Sequence, residues 1–210
     1  MTAPAVGASG LVATLEQTWA AIRAHHSEVP EAIVVVAAGS EGRRLRWGHF
    51  AAGRWQLAGA RRPEVLVGGE GLRRPAREVQ GTLLHEAAHG LADRRGIPDT
   101  SRGGRYHNRR YAALATELGL QVAHVDPIGW SSTTVPDSTA YRYAGVLAEL
   151  ADQLTLWRHQ ERPGGAAASR NLLACACGCP RRIRVAPSAL AQAPILCAAC
   201  QLPFTPTVDT

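Results

Sequence analysis

The sequence predicts an α+β fold, with a larger domain of helices and a small sheet followed by a small cysteine-containing module. Short β-branched or alternating apolar segments lie between residues 33 and 67, and segments with helical apolar spacing precede and follow them. All five cysteines lie between Cys175 and Cys200. We expect residues 1–160 to form the larger domain, the Gly- and Ala-rich residues 161–170 to form a linker, and residues 171–210 to form the module.

An N-terminal helix and a small, mostly antiparallel sheet are predicted first. Residues 11–26 have the amphipathic spacing of a helix that ends near Pro30. The predicted strands are residues 33–37, 45–50, 54–57 and 64–67. Ala51-Ala52-Gly53 separates the second strand from the third and is expected to be a hairpin turn. Trp47 and Trp55 fit the pleated surface of this sheet as core residues.

A long helix is predicted over residues 75–96. Pro75 suits its first turn, Arg94 and Arg95 favour its C-terminal end, and Gly96 with Pro98 terminates it. Its broad apolar face is formed by Val79, Leu83, Leu84, Ala87, Ala88 and Leu91.

This helix carries the sequence His85-Glu86-Ala87-Ala88-His89. The two histidines project from the same side one turn apart, so they can bind one zinc ion. Glu86 is offset by about 100° per residue and can reach a metal-bound water without becoming a ligand. The motif therefore predicts a zinc metallohydrolase, and a peptidase in particular. The alternative is a buried histidine pair beside a surface glutamate.

A catalytic zinc needs a third protein ligand and one open position. His107 is favoured, because it begins the apolar face of a helix predicted to end near Leu118. That face continues through Tyr111, Leu114, Ala115 and Leu118. Two alternatives remain: Glu117 would give a His-His-Glu site, and His124 lies in a predicted loop.

Basic residues are concentrated between the proposed ligands. All 23 basic residues of the chain are arginines, its net charge is +6, and residues 94–110 contain six arginines against one acid, Asp99. This arginine segment (residues 94–110) is expected to surround the zinc cleft, where it could hold DNA or RNA phosphates or an acidic polypeptide. The candidate binding residues are Arg102, Arg105, Arg109 and Arg110. An ordinary solvated surface is the alternative.

A last helix of the larger domain is predicted over residues 138–159, with His159 as an exposed terminal residue. Its inner face is expected to contain Tyr143, Val146, Leu147, Leu150, Leu154 and Trp157.

The cysteine spacing in the tail predicts a structural zinc site. The four proposed thiolate ligands are Cys177, Cys179, Cys197 and Cys200. Cys175 is the spare residue and a possible substitute in the first pair. The sequence shows no export signal and no run of 18 apolar residues, so we expect a cytoplasmic protein without membrane association, in which metal thiolates are favoured over disulfides.

Three features together resemble the SprT-like zinc metallopeptidases, the group that includes the Spartan proteases. They are the His85–His89 motif, the stretch of residues 99–108 ending in Tyr106-His107-Asn108, and the cysteine-rich tail. The resemblance extends from the first helix to the tail. The tail differs in having Cys-x-Cys where the family often has Cys-x-x-Cys.

The resemblance implies a minigluzincin-like domain with an N-terminal helix, a small sheet and two metal-bearing helices, often followed by a zinc ribbon. It implies that His85, His89 and His107 bind the metal, that Glu86 is catalytic and that Tyr111 lies behind His107. It also implies protein substrates associated with DNA, including DNA–protein crosslinks.

The expected function is that of a zinc-dependent endopeptidase with two zinc ions, one catalytic and one structural. Glu86 takes a proton from the zinc-bound water as that water attacks a peptide carbonyl. Tyr106 or Arg105 could stabilise the oxyanion, and an edge strand could pair with the substrate peptide. The alternative is a non-catalytic zinc protein that binds nucleic acid through the arginine segment and the ribbon. The glutamate of the motif and the number of zinc ligands distinguish the two functions.

Overall fold

The computed structural model describes residues 8–41, 44–160 and 172–207. The chain divides into two units, Met1–Gln160 and Glu161–Thr210. Both units combine helices with small sheets, as expected for an α+β protein. The predicted linker, residues 161–170, lies outside the described residues. No helix of the described ranges is both long enough and apolar enough to cross a membrane.

Helix α1 (Ser9–His25) buries one apolar face through Leu11, Leu15, Trp19 and Ile22. Strand β1 (Ile33–Ala37) has the predicted bounds and pairs in parallel with β5 (Ala60–Gly68). Strand β5 also pairs antiparallel with β4 (Gly48–Leu57), which gives the order β1-β5-β4. The sheet is therefore mixed, with β4 at one edge. A two-stranded ribbon of β2 (Ser40–Glu41) and β3 (Arg44–Leu45) precedes β4.

The predicted hairpin turn at residues 51–53 is wrong, because these residues lie inside β4. The β4–β5 register is irregular between Ala51 and Trp55, and Gly53 has a φ of +60°. This irregularity is a β-bulge within one continuous strand. The turn is Ala58-Gly59, with φ of 48° and 80° between the paired residues 57 and 60. Alanine seldom adopts positive φ, so this turn carries little sequence signal.

Neither tryptophan of this region is a core residue, contrary to the prediction. Trp55 is 43% exposed, and its indole N–H donates to Glu64 Oε2 over 2.8 Å. Trp47 is half-buried just before β4, with the guanidinium carbon of Arg74 4.3 Å from its ring centroid. Both side chains therefore lie outside the core and have a polar partner.

A 3-10 turn (Gly69–Arg73) leads into helix α2 (Ala76–Arg95), the central element of the larger unit. Pro75 is its N-cap residue, and Gly96 ends it in the left-handed conformation with a φ of 63°. The predicted helix is thus confirmed to within one residue at each end. Its apolar face is fully buried, including Val79, Leu83, Leu84, Ala87 and Ala88.

After α2, a second sheet has the order β6-β7-β9-β8. Its strands are β6 (Thr100–Ser101), β7 (Tyr106–His107), β8 (Gln121–Val125) and β9 (Gly129–Thr134). Helix α3 (Arg109–Glu117) lies between β7 and β8. The prediction that His107 lies on this helix is wrong, because Asn108 caps the helix by accepting from the Arg110 and Tyr111 N–H groups.

The predicted helix over residues 138–159 is two helices, α4 (Asp137–Arg142) and α5 (Ala144–Gln153). Tyr143 separates them with φ −106° and ψ 18°, and its side chain is buried. Of the predicted inner face, Leu150 is fully buried, whereas Trp157 lies beyond α5 and is 47% exposed. The prediction of one continuous helix is therefore wrong at Tyr143 and beyond Gln153.

The smaller unit is built on a sheet with the order β11-β10-β12. Its elements are β10 (Leu173–Ala176), β11 (Arg182–Val185), helix α6 (Pro187–Gln192) and β12 (Thr205–Pro206). Its core contains Cys175, Val185, Cys197 and Phe204. So few apolar residues provide little stabilisation by burial alone.

Candidate metal centre

Three histidines converge in the larger unit. His85 and His89 project from α2, and His107 projects from β7, so that their ligand atoms lie within 4.8 Å of one another. The Nε2 atoms of His89 and His107 are 3.1 Å apart. Two nitrogen ligands of a tetrahedral zinc, each 2.0–2.1 Å from the ion, lie about 3.3 Å apart. The group is therefore able to hold a metal ion.

The Nδ1 atoms of the two α2 histidines contact polar groups outside the cluster. His89 Nδ1 donates to Asp99 Oδ2 over 2.5 Å, and His85 Nδ1 lies 3.3 Å from Thr133 Oγ1. With its proton on Nδ1, a neutral His89 presents a lone pair on Nε2, which is the arrangement that metal ligation requires. His107 Nδ1 is buried and has no hydrogen-bond partner among the described residues, while its backbone N–H donates to Ile128 O over 3.0 Å.

Burial favours the neutral form of two of these histidines. It lowers the pKa of His85 well below the usual value, with His89 and His107 adding to the effect. It also lowers the pKa of His107 to about 4. At His89 burial again lowers the pKa, but the hydrogen bond to Asp99 and the negative charges of Glu86 and Asp99 together outweigh it, and the net shift is upward. Neutral imidazole is the form that binds metal ions.

Tyr111 lies behind the three histidines. Its ring centroid is 4.9 Å from that of His85, 4.8 Å from that of His89 and 4.5 Å from that of His107. The ring is fully buried, and burial raises the pKa of its hydroxyl well above 10. It therefore acts as a neutral aromatic wall that fixes the orientation of the imidazoles.

Glu86 lies beneath the start of β4. Its side chain is buried, and burial raises its pKa to about 7 although the Phe50 backbone N–H donates to it. A Cβ placed on Gly48 would come 2.7 Å from Glu86 Oε1 and 2.7 Å from Thr82 Cγ2. Only glycine at this position leaves room for the carboxylate, and sequence spacing alone did not reveal this requirement.

The two alternative third ligands do not join the histidines. Glu117 forms an ion pair with Arg95 at 2.8 Å, and Arg95 also pairs with Glu28 at 2.7 Å. His124 lies on β8 rather than in a loop, with its Nε2 3.2 Å from the Tyr106 hydroxyl. Both side chains are therefore held elsewhere in the larger unit.

A cleft of about 650 Å³ opens next to the histidines. Its lining includes His85, Glu86 and His107, together with Arg46, Arg74 and Arg77. The expectation that the arginine segment surrounds the cleft is wrong for the residues that line the cleft. The lining residues include none of Arg102, Arg105, Arg109 and Arg110. These four are exposed on and around β7 and α3. Tyr106 and Arg105, the predicted oxyanion stabilisers, also lie outside the lining.

Four cysteines converge in the smaller unit. The ligand atoms of Cys177, Cys179, Cys197 and Cys200 lie within 4.8 Å of one another. Cys175 is instead fully buried in the core on β10, with its Sγ 3.7 Å from Leu173 O. The backbone N–H groups of Cys200 and Ala199 lower the pKa of Cys197 to about 6, which favours its thiolate. This group is able to hold a metal ion as well.

Comparison of the chain with protein-family models, with curated proteins and with solved structures found no match.

Proposed function

We propose that the chain is a zinc-dependent endopeptidase of the SprT-like type. The observation that carries the proposal is the position of Glu86, buried beside three converging histidines at the wall of an open cleft. His85, His89 and His107 would hold the zinc ion. When bound, zinc acts as a Lewis acid and lowers the pKa of water to about 7.

Glu86 acts as the general base. Its carboxylate accepts a proton from the water whose oxygen attacks the carbonyl carbon of the peptide bond, and it then delivers this proton to the departing amine nitrogen. The close approach of Gly48 leaves room for the carboxylate in the cleft wall. Asp99 and Tyr111 act through the histidines by holding the rings in place.

An extended substrate fits the edge position of β4. Among the described strands β4 pairs only with β5, and Gly48 at its start lines the cleft directly above Glu86. A peptide that adds a strand to this edge would form backbone hydrogen bonds whatever its sequence. Such an arrangement brings an internal peptide bond to Glu86, and it favours endopeptidase activity.

The small unit is proposed to be a zinc ribbon in which Cys177, Cys179, Cys197 and Cys200 bind a structural ion. Four thiolates leave no open position for substrate. Since its core is small, zinc would provide much of its folding free energy.

DNA-associated protein substrates remain part of the proposal. Arg102, Arg105, Arg109 and Arg110 are exposed, and the guanidinium carbon of Arg102 lies 4.9 Å from the centroid of the Tyr106 ring. Exposed arginines beside an aromatic ring suit phosphate contacts and base stacking. A purely nucleic-acid-binding protein with a structural metal is the second candidate function, but it gives Glu86 no role.

The test is hydrolysis of an unfolded, dye-labelled polypeptide by the zinc-loaded full chain. Glu86→Gln should retain zinc and lose activity by at least about a hundredfold, because it removes the base and spares the ligands. Glu149→Gln, at an exposed position on α5, is the matched control and should keep full activity. An inactive parent chain with a full zinc content would refute the peptidase, and DNA binding by that chain would support the second candidate.

A further inference from the structure

The guanidinium of Arg74 is built into the wall of the cleft. Its carbon lies 4.3 Å from the centroid of the Trp47 ring, its Nε donates to Gly71 O over 2.9 Å, and its Nη2 donates to Thr82 Oγ1 over 2.8 Å. The planar guanidinium of Arg74 is thus held in a defined orientation by three different segments of the chain. One segment precedes β4, one precedes α2 and one lies within α2. Such preorganisation is typical of a binding group.

Arg74 has no carboxylate as a hydrogen-bond or ion-pair partner among the described side chains, although the charge of Glu78, which also lines the cleft, acts to raise its pKa. Both of its hydrogen-bond acceptors are neutral, and it forms no ion pair with a described carboxylate. The neighbouring cation of the cleft differs, because Arg77 pairs with Asp137 at 2.7 Å. Arg74 is also half-buried, and this burial lowers its pKa. A partly desolvated cation of this kind is stabilised by any anion that enters the cleft.

The free hydrogen-bonding capacity of Arg74 matches a carboxylate. A guanidinium has five N–H donors, of which the contacts to Gly71 and Thr82 use two. Because the Nε–H is used, a carboxylate would accept from Nη1 and Nη2, which between them keep three N–H groups.

Arg74 also lies close to the proposed reacting group. Its partner Thr82 precedes Glu86 by four residues, or about 6 Å along α2. Thr82 and Glu86 both approach Gly48, since a Cβ there would contact each of them at 2.7 Å. An extended peptide advances about 3.3 Å per residue. A group bound by Arg74 would therefore belong to a residue about one or two positions from the scissile bond.

We propose that this cleft selects peptides with a carboxylate close to the scissile bond, and that Arg74 binds this carboxylate. The inference rests on the proposed function, because it names the substrate class of the same site. The carboxylate can be an Asp or Glu side chain, as endopeptidase activity requires, or the C-terminal carboxylate of the substrate, in which case cleavage is confined to the C-terminal end of the substrate. The two sources share the same chemistry at Arg74 and are separated by the test.

The test measures binding without hydrolysis, using the full-length, zinc-loaded Glu86→Gln protein. The probes are fluorescein-labelled octapeptides of alanine and serine, with one central Glu or Gln and with a free or amidated C-terminus. Fluorescence anisotropy should show about tenfold to a hundredfold tighter binding of the peptide with the recognised carboxylate. A preference for Glu in the amidated pair assigns a side chain, whereas a preference for the free terminus assigns the C-terminal carboxylate.

Two additional variants in the Glu86→Gln background identify Arg74 as the source of the preference. Arg74→Met keeps an unbranched apolar stem against Trp47 and removes the charge, so it should bind all four peptides equally. Arg73→Gln removes the neighbouring arginine, which is exposed and outside the cleft lining, and should retain the full preference. The proposal is overturned if the Glu86→Gln protein, with Arg74 intact, binds all four peptides equally. A preference that persists in Arg74→Met also overturns it, because the zinc ion or another cation of the cleft lining, Arg46 or Arg77, would then bind the carboxylate.

Arg74→Lys is the second variant, and it is used if Arg74→Met proves to be destabilised. Lysine keeps the charge but not the planar fork, so the preference should fall several-fold and persist in part; an unchanged preference overturns the role of Arg74. Failure of the proposed function gives a different result. Selective binding of acidic peptides by a chain that does not hydrolyse them refutes the peptidase alone, and hydrolysis without a carboxylate preference refutes the role of Arg74 alone.

Discussion

Asp99→Asn should weaken zinc binding at the three-histidine site without unfolding the larger unit. The carboxylate accepts the His89 Nδ1–H over 2.5 Å, and the two side chains are only 15% and 18% exposed. Asparagine preserves the size of the side chain and can still accept this hydrogen bond through its amide oxygen. The backbone contact from Asn108 N to the carbonyl of residue 99 is unaffected.

The magnitude follows from the loss of charge in this one hydrogen bond. A hydrogen bond to a charged group contributes about 1.5–3 kcal/mol, and a neutral one about 0.5–1.5 kcal/mol. The difference of about 1–2 kcal/mol corresponds to about a five- to thirtyfold weaker zinc affinity. Thermal unfolding of the zinc-free protein should change much less, since the main-chain contacts around position 99 remain.

The assay is competition for zinc with a chromophoric chelator of known affinity, followed by hydrolysis at saturating zinc. Asp126→Asn is the matched control, because Asp126 is 91% exposed and lies 3.9 Å from His124, a histidine outside the cluster. This variant should bind zinc like the parent chain. Equal zinc affinities for the parent and Asp99→Asn would refute the argument that Asp99 holds His89 for the metal.

Further predictions concern the base, the third ligand and a buried acid of the fold. Gly48→Ala should lower the hydrolysis rate by at least about tenfold while zinc content stays constant, because the new Cβ overlaps Glu86 Oε1. His107→Ala should lose zinc from the site and lose activity, whereas Glu117→Ala should keep both; the reverse result in paired zinc titrations would make Glu117 the ligand. Burial raises the pKa of Glu70, but hydrogen bonds from the Ser40 hydroxyl and from backbone N–H groups, that of Gly39 among them, together outweigh it and lower the pKa overall. The stabilisation that Glu70 provides should therefore be present above its unfolded-state pKa and be lost as the pH falls through its lower folded-state pKa. The free energy of unfolding, measured in urea, should consequently fall less steeply with acid in Glu70→Gln than in the parent chain.

The sequence predicted best those elements whose signals are local. Helix α2 ends where Gly96 adopts its left-handed conformation, and β1 coincides with its β-branched run. The spacing of four residues on one helix also brings His85 and His89 together. These features depend on the helical or strand period of a single segment and on a terminating residue.

The features that the sequence did not predict depend on contacts between distant segments. His107 continues an apparent helical stripe, yet pairing with Gly129 places it on a strand. Arg74 is far in sequence from Trp47, and no local pattern indicates that the two residues meet in the cleft wall. Conversely, Arg102 lies between the histidines in sequence but outside the cleft lining. Position along the chain was therefore a poor guide to position around the cleft.

The most direct test of the central claim is a crystal structure of the zinc-loaded chain with anomalous scattering recorded at the zinc edge. The account predicts one zinc ion about 2.0–2.1 Å from nitrogen atoms of His85, His89 and His107, with a fourth position open to the cleft beside Glu86. A fourth protein ligand that closes this position, or the absence of zinc from the three histidines in fully loaded protein, would contradict it.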